Sequence, residues 1–123
     1  MQIPKPSDQD RQFLQSILPE DARVEVKPMF GNLGAFVNGN MFAGLFGSTV
    51  GVRLDPAARD ELAAIDGTGA FGPKERPMTA YLSLPPAWRV EPALAATWVA
   101  RALDHVAGLP PRKAKPGKMS KAR

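Results

Sequence analysis

The 123-residue chain contains no cysteine, one histidine and one tyrosine. Without thiols it has no disulfide, no thiolate nucleophile and no cysteine-based metal site, a usage that fits a reducing compartment. The single histidine, His105, has no cysteine or carboxylate at ligand spacing and no legible orienting partner, so it reads as a surface or boundary residue of a helix. No window approaches the ~20 apolar residues of a membrane span, and the opening Met-Gln-Ile-Pro-Lys-Pro lacks the apolar core of a signal peptide. The expectation is a cytoplasmic protein with no membrane association. Internal repeats are missing as well.

What remains is ordinary for one soluble domain, with 44% hydrophobic and 23% charged residues. The charge is unevenly placed. Arg112, Lys113, Lys115, Lys118, Lys121 and Arg123 put six positives and no acid into the last thirteen positions, leaving ten positives against twelve acids in residues 1–110. The expected division is an α+β domain over residues 1–110 and a basic, unstructured tail over residues 111–123. The tail has two readings, salt-dependent contact with nucleic-acid phosphates or a solubilising end.

In chain order, Ser7 caps a first helix over residues 7–18, with Asp10 as the capping-box partner and Phe13, Leu14, Ile17 and Leu18 as its apolar stripe. Val24 and Val26 alternate with Glu25 and Lys27 as in a strand, and Pro28 places that strand at an edge or ends it. Gly31 and Gly34 bracket a tight loop. Three short strands follow over residues 35–54, folded at Asn38-Gly39, a type I′ hairpin signal, and at Gly47-Ser48-Thr49. Asp55-Pro56 opens a helix to about residue 65, a loop covers residues 66–77, and a strand spans residues 78–84. Pro92 opens the main helix, closed by Gly108. The order α-β-β-β-β-α-β-α predicts an antiparallel sheet of about five strands with helices packed on it.

The middle strand is apolar on both sides. Strict alternation sends Phe42, Gly44 and Phe46 one way and Met41, Ala43 and Leu45 the other, so both faces need cover. Helices supply one. A second protomer is expected on the other, making a homodimer that meets partners through the sheet.

No motif names a reaction. Gly67-Thr68-Gly69-Ala70-Phe71-Gly72 matches G-x-G-x-x-G, but it follows a helix and meets Pro73 instead of opening a helix after a strand. Asp8/Asp10, Glu20/Asp21 and Asp60/Glu61 are acids close in sequence at ordinary helix positions. Lys27, Arg53, Lys74 and Arg76 read either as an anion-binding patch or as scattered solubilising charge. No catalytic residue, metal or cofactor is expected, and the chain reads as non-enzymatic.

Met29-Phe30-Gly31, then Gly34, Phe36, Gly39, Phe42-Ala43 and Arg53 within Val52-Arg53-Leu54, form a run that resembles the TfoX N-terminal domain family, over about residues 10–109. The resemblance implies an α+β fold of the secretion-chaperone type and a bacterial, cytoplasmic protein tied to regulation of competence and DNA uptake. Two-domain members carry a further C-terminal domain, and the expectation here is a stand-alone N-terminal domain. The family offers no catalytic residues to carry over, and an unidentified protein partner is expected through contacts on the sheet. Gly31, Gly34 and Gly39 read as conformational requirements, and Phe30, Phe36 and Phe42 as core. Two positions depart from the family pattern: Asn32 replaces the second motif glycine, and Gly51 stands where an aromatic is common.

Overall fold

The computed structural model describes residues 5–29, 32–72 and 78–111. Phe30, Gly31, Lys74, Arg76 and the six basic residues of the tail lie outside them. The chain runs α1 (Asp8–Ile17), β1 (Glu25–Met29), β2 (Asn32–Val37), β3 (Asn40–Phe46), β4 (Thr49–Arg53), α2 (Pro56–Ala63), β5 (Gly69–Ala70), β6 (Tyr81–Ser83), a 3₁₀ turn (Pro86–Val90) and α3 (Pro92–Ala107). The six strands form one antiparallel sheet in the order β1-β2-β3-β4-β6-β5.

Local chemistry accounts for most boundaries. The Ser7 N–H donates to Asp10 Oδ2 at 2.8 Å while the Asp10 N–H donates to Ser7 Oγ at 3.1 Å, so the box satisfies two groups that a helix start leaves unpaired. Asp55 caps α2 with Pro56 at its first position. Asn38 and Gly39 take φ of 53° and 80°, the type I′ signature, and Gly47 alone turns positive in the next hairpin, as a type II′ turn requires. Pro28 continues β1, and β1 lies at the sheet edge, where a residue without an N–H is tolerated.

Four expectations are corrected. The tight loop placed over residues 31–34 is already strand from Asn32 onward. The strand expected over residues 78–84 is shortened to Tyr81–Ser83, because Met78 closes back on the Phe71 carbonyl and Tyr81 on the Met78 carbonyl. The preceding loop contributes β5, two residues that pair with β6 and become the far edge.

The fourth correction concerns β3. Ala35 pairs with Ala43 but Phe36 pairs with Met41, so Phe42 is an extra residue in β3. This bulge resets the alternation. Phe42 joins Ala43 and Leu45 in the core beneath the helices, and Met41 moves to the other side, where its sulfur lies beside Gly44.

On the helix-covered face, Phe42, Ala43, Leu45, Val50 and Val52 pack against Leu14 and Ile17 of α1, Leu62 of α2, and Trp98, Val99, Leu103 and Val106 of α3. At roughly 1.5–3 kcal/mol per buried large apolar side chain, this layer dominates the burial energy.

Candidate interaction surface

The opposite face is built on missing side chains. Lys27, Gly34, Gly44, Gly51, Ser83 and Gly69 are neighbours in register across all six strands, so a row of small positions crosses the sheet between Lys27 and the far edge. Over β2, β3 and β4 the trough is filled from within the chain. A Cβ at Gly51 would collide with ring carbons Cγ and Cδ1 of Phe71, and one at Gly34 would sit 2.8 Å from Phe36 Cε1 and 2.9 Å from Met41 Sδ. Gly34 is therefore required for room and not for a special backbone angle. Gly39 alone of the described family glycines is required for its positive φ.

Phe71 is 2% exposed and meets Phe46 edge-on at 6.3 Å and Tyr81 at 5.9 Å between ring centroids. The Tyr81 hydroxyl donates to the Met41 carbonyl at 2.9 Å, supplying a partner at the bulge, where the regular ladder is interrupted. The second cover of the middle strand, which the sequence assigned to another protomer, is thus supplied at this point by Phe71 and Tyr81 of the same chain. Gly51 departs from the family pattern at the very place that the Phe71 ring occupies. Asn32, the other departure, is buried, and its Oδ1 accepts the Gly47 N–H at 2.9 Å, tying the start of β2 to the second hairpin turn.

The charged groups fall into separate places. Asp10, 8% exposed, takes Arg89 Nη1 at 2.9 Å, and the Arg89 guanidinium lies 4.8 Å from the Phe13 ring centroid. This pair joins α1 to the 3₁₀ turn. The Ser7 backbone N–H, with Arg89 second, holds the Asp10 carboxyl below its usual value against the opposing effect of burial. Arg101 grips Glu61 through both nitrogens at 3.2 Å and lies 4.4 Å from the Trp98 ring centroid, linking α3 to α2. His105 is half-buried nearby, on the rim shared with Asp55 and Asp104. Among the described residues no group of three or more His, Asp or Glu is placed to hold a metal, and no helix is long and apolar enough to cross a membrane.

Lys27 and Arg53 share the glycine face, but β1 and β4 are three strand spacings apart, about 14 Å. Lys27 is engaged elsewhere, 3.8 Å from Glu25 and 4.7 Å from the Phe36 ring centroid. Gly67 and Gly72 both have positive φ, but the segment between them forms β5 and opens no helix. Of the family positions, Met29 ends β1, Phe36 is half-buried on the glycine face, Phe42 and Ala43 are core, and Arg53 pairs across from Tyr81. Sequence reasoning missed Phe71, whose setting between Gly69 and Gly72 was its only local signal, and Arg89, which reaches Asp10 across 79 positions.

Both ends of the sheet are open. Among the described residues β1 and β5 each have one neighbouring strand, with Glu25, Val26, Lys27 and Pro28 exposed along the longer edge and Gly69 and Ala70 along the shorter.

Compared with known proteins, the chain matches the sequence model of the TfoX N-terminal domain over residues 16–106, a span from the end of α1 to the last turn of α3. No curated protein matches it. With three quarters of its length and the entire sheet inside that match, the chain belongs to the TfoX N-terminal domain family.

Proposed function

We propose that this domain is a non-enzymatic regulatory module that acts through protein contacts made by its sheet, in the competence and transcription-regulation class associated with its family. The family match over the whole sheet carries this reading. The open edge at β1 supports it, because an unpaired strand is a ready template for another chain. Deleting the gene in its host and measuring transcript levels is the test. Altered transcripts for DNA-uptake functions, restored by the wild-type chain, are expected. An unaltered profile under competence-inducing conditions removes the regulatory reading. Affinity capture with the full chain and with a chain ending at residue 111 is expected to recover the same protein partner.

A second reading rests on the tail, where six cations stand without an acid. Each phosphate contact releases counterions, so binding through this tail is sequence-blind and falls steeply with salt. A DNA or RNA shift assay at two salt concentrations, with and without residues 112–123, checks it. Loss of retention on deletion is expected. Equal retention, or none by the full chain, dismisses the tail as a binding element.

A further inference from the structure

The direction of the backbone groups along β1 follows from the hairpin beside it. A two-residue type I′ turn makes Val37 and Asn40 a hydrogen-bonded pair, so Val37, Ala35 and Leu33 direct their N–H and C=O groups toward β3. The bulge is in β3, so the alternation along β2 is unbroken. Phe36, Gly34 and Asn32 therefore face β1, and their partners Glu25, Lys27 and Met29 use their backbone groups inward. Val26 and Pro28 point theirs outward. That is the one parity in which Pro28, lacking an N–H, leaves the β1–β2 ladder intact.

The outer edge thus offers one complete donor–acceptor pair, at Val26, flanked by opposite charges. Val26 is 38% exposed, one of three large apolar side chains exposed among the described residues. Glu25 and Lys27 lie on the same sheet face, as their 3.8 Å approach shows. Such an edge is complementary to itself. In an antiparallel pairing about Val26, its N–H meets the carbonyl of the other copy's Val26 and the reverse. Glu25 then faces the other copy's Lys27, and Lys27 its Glu25, while the two valines meet on the other side.

We propose that β1 pairs antiparallel with β1 of a second copy of this chain, centred on Val26, so that the two sheets join into one. This names a partner for the sheet-mediated contacts proposed above and rests on that reading for its biological use. The register is selected by charge. Centring the pair on Lys27 instead would set the two lysines opposite each other and spend the outward bonds on Pro28, which has no donor. Pro28 also ends the ladder after a single reciprocal bond pair, which makes the association weak and concentration-dependent.

The test is sedimentation equilibrium up to about 1 mM, with circular dichroism confirming the fold of each variant. Wild-type protein is expected to dimerise reversibly. Glu25→Lys alone and Lys27→Glu alone each turn both cross-strand pairs into like-charge pairs, and each is expected to raise the dissociation constant on the order of tenfold or more. Mixing these two variants restores opposite charges at both positions, so a mixed dimer is expected where neither variant self-associates. The double variant E25K/K27E, with wild-type net charge, is expected to dimerise like wild type. In hydrogen exchange, the outward Val26 amide gains protection as concentration rises. A monomer across the whole range overturns the proposal, as does a dimer indifferent to both single substitutions. Either failure leaves the transcript experiment untouched, so it is distinguishable from failure of the regulatory reading.

Discussion

The two faces of the sheet are covered by opposite means and to different depths. Under the helices, Phe42, Ala43, Leu45, Val50 and Val52 are large or branched side chains that meet α1, α2 and α3. On the far face, Gly34, Gly44 and Gly51 withdraw from the sheet, and a few long side chains, Met41, Phe71 and Tyr81, lie down in the space. The first layer is redundant, since many contacts share the burial. The second is thin: one ring covers Gly51 and one thioether covers Gly44, so each member acts through few neighbours. A thin layer of this kind is more sensitive to one added methyl than to the loss of one.

The largest expected effect compares truncation on the two faces. Phe42→Ala removes a fully buried ring at the bulge and is expected to cost about 4 kcal/mol by chemical denaturation, near the whole stability of a marginal domain. Phe71→Ala is expected at about 3 kcal/mol, its site opening toward solvent instead of leaving a sealed cavity. Equal losses would mean that the far layer is as integral as the core. Next comes overpacking. Gly51→Ala presses a methyl into the Phe71 ring and is expected to cost about 2 kcal/mol. In a Phe71→Ala background the same change is expected to cost little, a coupling of about 1 kcal/mol or more. Additive values would show that the ring does not occupy that space.

Asp10 is a smaller and pH-dependent case. Asp10→Asn is expected to cost about 1–2 kcal/mol at neutral pH through the cap and the Arg89 pair. The folded carboxyl titrates below its unfolded value of about 3.9, so its contribution is complete above that pH and disappears as pH falls through the folded value. The gap between wild type and Asp10→Asn should therefore close on acidification below about pH 4. A gap that widens in acid would contradict the direction of the shift. Smallest is Tyr81→Phe, which leaves the Met41 carbonyl without the hydroxyl and is expected to cost about 1 kcal/mol.

The parts legible in the sequence were those set by neighbours in the chain. Asn38-Gly39 specified its turn because few residues accept two consecutive positive φ angles. Ser7 with Asp10, and Asp55 with Pro56, marked helix starts because those side chains answer the unpaired N–H groups of the first turn. Pro28 narrowed its strand to two outcomes, an edge or a stop, because it has no donor, and β1 takes the edge. The bulge at Phe42 was invisible, since a one-residue slip between β2 and β3 leaves no composition signal and yet exchanges the faces of Met41 and Phe42. Strict alternation therefore sorted the middle strand wrongly on one side of the bulge.

By itself, the sequence determined that β3 would be apolar on both sides and that the strand holding Pro28 would either lie at an edge or stop there, because side-chain solvation and proline's missing donor are properties of the residues themselves. Only the tertiary structure decided what covers the second face and which strands end the sheet. Those outcomes depend on Phe71 returning from beyond α2 to the row of glycines, and on the register that brings Gly34, Gly44 and Gly51 side by side. Such long-range register is a result of packing many strands at once, and no single stretch of chain encodes it.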